Sequence, residues 1–269
     1  MAEPTFDRGV FAARLTTRRL GRTLIARAET SSTNDLAWEG FQQGAPDGAA
    51  YVADVQWGGR GRAGRSWHTS PGKGLALSVL LLQGRERGRS PRAAVSGILS
   101  LAAGLALARG LEALGLVARL KWPNDLLAGS RKLAGTLSES RGTVTGEDVA
   151  VVGVGINVSQ QRSDFPPELR ETATSLALEG CVTDRAAAAA SFLNALEPLW
   201  VVYQEGGREQ VLAAWRQRAA FWGEPVTVHT PSGALTGTAR DLDPDGGLVL
   251  RLESGQEVTV FAGDVEVAS

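Results

Sequence analysis

The chain has 269 residues, of which 43% are hydrophobic and 21% charged, and its formal net charge is −1. This composition is typical of a soluble globular protein with one large domain, or with a large domain and a small one. The near-neutral charge gives no overall field for nucleic acid, and no apolar run approaches the roughly 20 residues of a membrane span. We therefore predict a cytoplasmic protein that binds neither nucleic acid nor membrane.

Cysteine and histidine are too scarce to build a structural centre. The lone Cys181 excludes an internal disulfide. The two histidines, His68 and His229, form no Cys/His cluster of the kind that holds zinc. We therefore expect no resident metal site.

The first part of the chain alternates between helical and extended patterns, which predicts a mixed α/β domain. A helix begins at Thr33-Asn34-Asp35 and ends before Gly44. The later predictions, in chain order, are strands at 49–55 and 75–82, a helix at 92–115, strands at 116–122, 132–138 and 149–156, and a helix at 184–200 that kinks at Pro198. Together they indicate a mixed sheet with flanking helices.

After Trp222-Gly223 the pattern changes to short alternating runs that are separated by Pro, Gly, Ser and Asp turns. Such punctuation is typical of a small all-β module. We predict a catalytic domain at 1–222 and a small C-terminal β-barrel domain at 223–269, which carries no chemistry. The four strands predicted in it lie at 225–229, 234–242, 248–252 and 257–261.

The stretch from Gly58 to Gly74, GGRGRAGRSWHTSPGKG, contains the spacing G-x-G-x-x-G near its start. In a dinucleotide-binding fold, these glycines form a strand-to-helix turn whose helix N-terminus faces the pyrophosphate. Here no helical pattern follows, because Ser66 to Gly72 is polar and contains a proline. The context therefore predicts a glycine-rich loop and excludes the dinucleotide fingerprint.

Arginines alternate with the glycines of this loop, at Arg60, Arg62 and Arg65. Three guanidinium groups with backbone amides between them suit an anion that carries several phosphate or carboxylate oxygens. A solvated surface loop is the alternative, because only three of the 28 lysine and arginine residues are lysines. The same scarcity makes each lysine informative. The lysines are Lys73, Lys121 and Lys132.

Further motifs precede and follow the loop. They are STN at 32–34, KWPND at 121–125, RKLAG at 131–135 and GVGIN at 153–157. This ordered set resembles the biotin protein ligases, enzymes that attach biotin to carboxylase carrier domains. The WPND and RKLAG pair is the specific part, and the C-terminal β module is consistent with the small terminal barrel of that family. Because STN begins at residue 32, we expect a monofunctional ligase without the large N-terminal DNA-binding domain of repressor-type members.

The resemblance implies an ATP-dependent reaction in two steps. Biotin and ATP first give biotinyl-5′-adenylate and pyrophosphate, and a lysine of a biotin carboxyl carrier protein domain then displaces AMP. Mg²⁺ is expected with ATP. Two alternatives remain: a lipoate or octanoate ligase-type relative, and a biotin-sensing protein without turnover. The oligomeric state is open, with a homodimer as one option.

The resemblance also assigns roles to residues. Lys132 contacts both the biotin carboxyl group and the α-phosphate, and Arg60 and Arg62 act beside it. Asp125 is a further catalytic candidate, and it could pair with Lys121, bind Mg²⁺ or accept the proton of the incoming lysine. The residues expected to bind biotin are Ser32, Thr33, Asn34, Gln56, Gly59, Arg60, Lys132 and Gly135. The residues expected to bind ATP or the adenylate are Arg62, Arg65, Trp67, Lys121, Asn124 and Asn157.

Several of these residues have an ordinary structural alternative. Trp67 could be a core tryptophan, and Asn124 and Asn157 could form turns. Trp57 departs from the family pattern, since a smaller or polar residue is expected there, and we expect it to alter the floor of the pocket. The loop 58–74 is predicted to be mobile in the free protein and to close over the adenylate.

Overall fold

A computed structural model describes residues 3–83, 92–142, 148–219 and 221–267. The helices in these ranges are α1 (Arg8–Arg14), α2 (Thr33–Gln42), α3 (Arg92–Ala113), α4 (Arg185–Gln204) and α5 (Arg208–Arg216). The strands of the first part are β1 (Leu24–Thr30), β2 (Ala50–Gln56), β3 (Gly74–Gln83), β4 (Arg119–Lys121), β5 (Asp125–Ala128), β6 (Arg131–Gly142) and β7 (Asp148–Asn157). The strands of the last part are β8 (Pro225–Thr230), β9 (Gly233–Leu242), β10 (Leu248–Arg251), β11 (Glu257–Val260) and β12 (Asp264–Val267).

The first seven strands form one mixed sheet in the order β1-β2-β3-β7-β6-β5-β4. Strands β1 and β2 are parallel, and the remaining neighbours are antiparallel. Strand β7 lies in the centre and is buried along nearly its whole length, which explains its continuous run of apolar residues and glycines. The predicted mixed sheet with flanking helices is confirmed.

Helices cover both faces of the sheet. Helix α3 packs against β6 and α4, and their side chains belong to the main hydrophobic core. On the other face α2 packs against β2, β3 and β7 over a smaller apolar cluster, whose β7 members are Val149 and Val151. Since successive side chains of a strand alternate between faces, Gly153, Gly155 and Asn157 continue the face that α2 covers. The apolar cluster thus ends where the glycines begin.

Helix α2 begins where the STN motif predicted it. Ser32 has extended backbone angles, and its side chain accepts a hydrogen bond from the backbone N–H of Asn34. This is the usual arrangement of an N-cap serine, and Asp35 in the first turn interacts favourably with the helix dipole. The cap directs the first residues of α2 toward the end of β7 that carries the glycines.

The last five strands form an antiparallel sheet in the order β11-β10-β9-β8-β12, which confirms an all-β C-terminal part. No pairing between β11 and β12 closes it among the described residues. Val226, Leu248 and Leu250 belong to the same hydrophobic cluster as Trp122 of the WPND motif. The indole N–H of Trp122 also donates to the Gly246 carbonyl at 3.1 Å. The C-terminal sheet therefore shares its core with the first part, and the boundary at residue 222 stays a prediction.

Helix α4 is long and apolar enough, by length and composition alone, to cross a membrane, although the sequence analysis expected no such segment. Of the residues in that stretch, 61% are buried inside the fold. Its side chains pack on α1, α3 and β3, and Phe192, Leu196 and Trp200 belong to the main core. The apolar composition of α4 is thereby explained by packing within the protein.

Candidate active site

A cavity of about 260 Å³ opens over the glycine end of β7. Most of the predicted site residues line it, although they come from four separate parts of the chain. The predicted residues in the lining are Ser32, Thr33, Asn34, Gln56, Arg60, Arg62, Arg65, Trp67, Asn124, Asp125, Lys132, Gly135 and Asn157. Four of these side chains are cationic and one, Asp125, is a carboxylate, so the described lining favours an anionic ligand.

Lys132 and Asp125 form an ion pair in this lining, with 2.6 Å between Lys132 Nζ and Asp125 Oδ1. The pair follows from the sheet, because β5 and β6 are antiparallel neighbours and Asp125 stands opposite Gly135. A Cβ at Gly135 would lie 3.3 Å from Lys132 Cε and 3.6 Å from Asp125 Oδ1, so the glycine leaves room for the pair. The partner of Asp125 is thus Lys132, and not Lys121 as one of the open interpretations had it.

The three loop arginines have different environments. Arg60 makes a bidentate ion pair with Asp35 of α2, at 2.7 and 2.9 Å. This hydrogen bonding lowers the pKa of the Asp35 carboxyl and raises the pKa of Arg60. Arg65 pairs with Asp264 of β12 at 2.7 Å. Arg62 makes no ion pair among the described residues, and burial lowers the pKa of its guanidinium.

The environment of Arg62 distinguishes it from its two neighbours. It is half-buried in the lining, where the carboxylates of Asp125 and Asp264 act on it only through space. Arginine stays protonated at neutral pH even when burial lowers its pKa. Arg62 is therefore a desolvated cation that has its hydrogen-bonding capacity available for an anion.

Trp67 packs directly on the backbone of β7. A Cβ at Gly155 would overlap the indole ring of Trp67. A glycine within a strand often marks such a close approach. Lys132 Nζ lies 5.8 Å from the centre of the same ring, which is within the range of a cation–π contact. Trp67 is partly buried and lines the cavity, so it is not a core tryptophan.

The polar residues at the start of α2 form one hydrogen-bond network with β2 and β3. The Gln56 carbonyl oxygen accepts from the backbone N–H of Thr33 at 2.7 Å, which fixes the orientation of its amide. Ser78 of β3 donates to Asn34 Oδ1 at 2.6 Å, and Asn34 donates to Glu139 at 3.0 Å. The network holds Gln56 with its NH₂ group free to act as a donor in the cavity.

Two of the predicted nucleotide-side residues also support the backbone of the site. Asn124 donates to the Thr136 carbonyl at 2.7 Å, and Asn157 donates to the Thr174 carbonyl at 2.9 Å. Both are buried, and both line the cavity. Each carboxamide therefore has a structural partner in addition to any ligand that it contacts.

Three positions lie outside the lining, contrary to expectation. Gly59 lies behind it, where the Trp67 N–H donates to its carbonyl at 2.9 Å and a Cβ would come 2.7 Å from the Trp67 carbonyl oxygen. Lys121 lies on β4 at the edge of the sheet. Trp57 is 74% exposed and does not form the pocket floor, because β2 ends before it at Gln56.

Sequence reasoning missed one wall of the cavity. Phe165, Leu169, Thr172 and Ala173 line it from a segment between β7 and α4 that contains only short 3-10 turns. The segment reaches the site because it runs beside Lys132, whose N–H donates to the Thr172 carbonyl at 2.7 Å. Its irregular sequence offered no periodicity or motif from which this position could be predicted.

Two family models match the chain. The Biotin/lipoate A/B protein ligase family matches residues 26–157, and the Biotin protein ligase C terminal domain matches residues 221–267. The first match contains most of the cavity lining, and the second coincides with the C-terminal sheet.

Individual relatives agree with the family models. The chain is 37% identical to the biotin--[acetyl-CoA-carboxylase] ligase of Mycobacterium tuberculosis over 91% of this chain and 88% of that protein. It is 33% identical to the bifunctional ligase/repressor BirA of Bacillus spizizenii over 94% of this chain and 76% of that protein. The structure of the biotin protein ligase from Aquifex aeolicus in complex with biotin and ATP superimposes with a TM-score of 0.75, at 27% identity, over 92% and 99% of the two chains. The chain therefore belongs to the biotin protein ligase family.

Proposed function

We propose that the chain is an ATP-dependent ligase that activates biotin as biotinyl-5′-adenylate and transfers it to a lysine of a biotin carboxyl carrier protein. The observation that carries this proposal is the cavity over β7, which combines the ion-paired Lys132, the desolvated Arg62 and the partly buried Trp67. A ligand that contains a carboxylate, a phosphate and a planar base requires cations and an aromatic ring within one site. The family membership of the chain supports the same reaction.

In the first step a carboxylate oxygen of biotin attacks the α-phosphorus of ATP, and pyrophosphate leaves. Negative charge accumulates on the non-bridging phosphate oxygens, so fixed cations near them lower the barrier. Lys132 is proposed to bind the carboxylate and the α-phosphate together, with Asp125 holding its ammonium group in place. Arg62 is proposed to bind the phosphate from the loop side, and Arg60 and Arg65 to assist it after exchange of their carboxylate partners.

In the second step the neutral amine of the carrier lysine attacks the acyl carbon of the adenylate. An amide bond forms as the acyl–phosphate bond breaks, AMP leaves with its negative charge, and the proton of the amine passes to water. The same cations stabilise the oxygen that becomes negative at the acyl carbon. Loop and cavity wall together keep water from the mixed anhydride before the carrier arrives.

The non-reacting ends of the ligand are assigned to the uncharged part of the lining. A ureido ring needs donors and acceptors at once, and Ser32, Thr33 and Gln56 provide hydroxyl and amide groups for it. Asn34 and Gly135 complete this biotin side. Trp67 offers a ring face on which adenine can stack. Asn124 and Asn157 are proposed for the adenylate side. Lys121 and Gly59 lie outside the lining and are assigned no direct contact with the ligand.

Mg²⁺ is proposed to enter with ATP. Among the described residues, no group of three or more His, Cys, Asp or Glu side chains could hold a metal ion. Magnesium in nucleotide enzymes commonly binds through substrate phosphates and one or two carboxylates, so the nucleotide itself can supply most of its ligands. We propose that the reaction takes place in the cytoplasm, where ATP is available.

The direct test uses the purified protein with ATP and radiolabelled biotin or lipoate, with and without a carrier domain. We expect an adenylate and pyrophosphate from biotin alone, and a labelled carrier lysine when the carrier is added. Preferential labelling from lipoate would contradict the choice of substrate. Tight biotin binding without any pyrophosphate release would indicate a sensor instead of a ligase.

A further inference from the structure

Lys73 has no role in the proposed reaction. It lies at the end of the loop 58–74, directly before β3, and it is not part of the cavity lining. Its Nζ atom lies 2.6 Å from Asp164 Oδ1. Asp164 belongs to the segment 159–176, which forms the cavity wall that sequence reasoning missed. The ion pair therefore joins the two parts of the chain that cover the cavity.

Backbone contacts strengthen this junction. The Ser159 N–H donates to the Lys73 carbonyl at 2.9 Å, and the Ser70 hydroxyl donates to the Asp164 carbonyl at 3.3 Å. The second carboxylate oxygen of Asp164 accepts from the Gln161 N–H at 2.7 Å. The hydrogen bond from Lys73, followed by that from Gln161, lowers the pKa of Asp164, so this carboxyl is ionised at neutral pH.

The far end of the segment reaches the proposed reacting centre. Lys132 donates its N–H to the Thr172 carbonyl at 2.7 Å, and the Thr174 N–H donates to the Lys132 carbonyl at 2.9 Å. Between these two ends, Phe165 and Leu169 line the cavity. One continuous stretch thus connects the ion pair at Asp164 to the backbone of Lys132.

The geometry points to Lys73 and Asp164 as a positioning pair that couples the loop 58–74 to the segment 159–176. Ordering of the loop around the phosphates then steadies the wall at Phe165 and the backbone of Lys132. This inference rests on the proposed function, because that function assigns the phosphates of ATP to the arginines of the loop. Neither residue touches substrate.

The size of the effect follows from exposure. The Lys73 side chain is 43% exposed and the Asp164 side chain 20%. Ion pairs of this kind have small effects, so we expect changes of about two- to fivefold. The coupling weakens as salt is added, since partly exposed charges are screened.

Four single variants and one double variant test the pair. Lys73→Met removes the cation and keeps an unbranched side chain, Asp164→Asn removes the charge of the carboxylate, and Lys73→Arg keeps the cation. Arg251→Met is the matched control, because Arg251 makes an ion pair of similar exposure with Glu257 at 2.9 Å, but in the C-terminal sheet and away from the loop and the segment 159–176. The double variant combines Lys73→Met with Asp164→Asn.

The first measurement is hydrogen exchange of the ligand-free protein. We expect Lys73→Met to speed exchange in residues 160–171 about two- to fivefold, while exchange in β7 and the melting temperature stay as in the parent protein. Lys73→Arg should retain protection. Equal exchange in Lys73→Met and the parent, or an equal increase in Arg251→Met, would overturn the coupling.

The second measurement is adenylate formation at saturating biotin. We expect KM for ATP to rise about two- to fivefold in Lys73→Met and Asp164→Asn, with kcat unchanged, and the double variant to add nothing further. Additive effects in the double variant, or an unchanged KM, would overturn the inference. A parent protein that forms no adenylate would refute the proposed function, while the ligand-free exchange still decides whether the pair couples the two segments.

Discussion

The two sides of the cavity are built in opposite ways. The sheet side comprises Asn124, Lys132, Gly153, Gly155 and Asn157, which lie on or beside paired strands, and every polar side chain among them has a partner within the sheet or the adjoining segment. The loop side comprises Arg60, Arg62, Arg65 and Trp67. They lie between β2 and β3, in a stretch whose only helix is the 3-10 turn at Arg62–Gly64.

The glycines of the two sides differ in the same way. Gly64 of the loop has φ of +75°, and a Cβ there would meet nothing within 4 Å. It is required for its backbone conformation. Gly155 of β7 has ordinary extended backbone, and a Cβ there would overlap Trp67. It is required for space. The polar side chains of the sheet side are thus paired before a ligand arrives, and we predict that the loop side rearranges around the ligand.

The largest effect is expected on the sheet side, at Lys132. Lys132→Ala should lower the rate of adenylate formation about 10²–10³-fold, as is typical for the loss of one group that stabilises transition-state charge. The fold should be retained, because the Lys132 side chain is one-third exposed at the cavity. Pyrophosphate release and circular dichroism measure the two properties. A folded variant with near-parent adenylation would show that Lys132 does not bind the reacting groups.

Arg131→Ala is the matched control for that variant. Arg131 precedes Lys132 on β6 and pairs with Glu179 at 2.8 Å, outside the cavity lining. Its substitution should leave adenylation within about twofold, since surface ion pairs have small effects. If Arg131→Ala lowered the adenylation rate as much as Lys132→Ala, both effects would be explained by a distortion of β6.

The second expected effect separates the two kinds of glycine. Gly155→Ala places a methyl group against Trp67, and such overpacking typically costs about 1–3 kcal/mol. We expect KM for ATP to rise roughly 5- to 150-fold as Trp67 is displaced, since each 1.4 kcal/mol is a factor of about ten. Titration of ATP at saturating biotin measures this.

Gly64→Ala is the counterpart on the loop side. It adds a methyl group in open space but strains a left-handed backbone, at a cost of roughly 1–2 kcal/mol. We expect a lower melting temperature or faster loop exchange with a smaller change in KM than in Gly155→Ala. Equal kinetic effects of the two substitutions would show that Gly155 is not required specifically to make room for Trp67.

Sequence reasoning predicted the regular elements where a single pattern was long. The helix at 92–115 and the strands at 75–82 and 149–156 correspond to α3, β3 and β7 within one to two residues at most ends. Strands β1, β5 and β12 were not predicted. Strands β5 and β12 have only four residues each, whereas β1 has seven and was missed although β2, which is equally long, was predicted. Strand β5 begins within the WPND motif, so its pairing with β6 depends on tertiary context and not on an alternating pattern.

The site residues were predicted from motifs, and what the prediction missed is what motifs do not describe. Of the 15 predicted site residues, 13 line one cavity. Motif order gave no information on which side chains pair, so the partner of Asp125 and the carboxylates that hold Arg60 and Arg65 appear only in the structure. The wall at Phe165 carried no motif and was missed.

The third prediction concerns release of the intermediate from the loop side. Arg62→Ala removes the one loop arginine that has no carboxylate partner among the described residues, so it should weaken retention of the adenylate most. We expect free biotinyl-5′-adenylate to accumulate about tenfold above the parent level, by analogy with the loss of one charge-assisted contact of roughly 1.5 kcal/mol. Chromatography of the reaction mixture and labelling of a bystander protein measure the release.

Arg60→Ala is the comparison within the loop. Arg60 is already engaged by Asp35 at 2.7 Å, so its contribution to an anion is reduced by the cost of breaking that pair. We expect the same direction of effect and a smaller size. Hydrogen exchange of residues 58–74 with and without biotin plus ATP checks the underlying motion. Equal protection in both states would show that the loop is a rigid part of the scaffold.

The smallest effect is expected where the loop touches the C-terminal sheet. Arg65 and Asp264 are 50% and 43% exposed, so their ion pair is screened by water, and its removal should change loop exchange by no more than about twofold.

Asp264→Asn is a better probe than deletion of residues 224–269, because the C-terminal sheet shares its hydrophobic core with Trp122 and its removal would expose that core. The variant frees Arg65 for phosphate, so we expect KM for ATP to fall slightly at low salt and the difference to vanish as salt is raised. Steady-state titration of ATP at two ionic strengths measures this. A higher KM at low salt would show instead that Asp264 holds Arg65 in its productive position, and the loop side would then be less adaptable than its ion pairs imply.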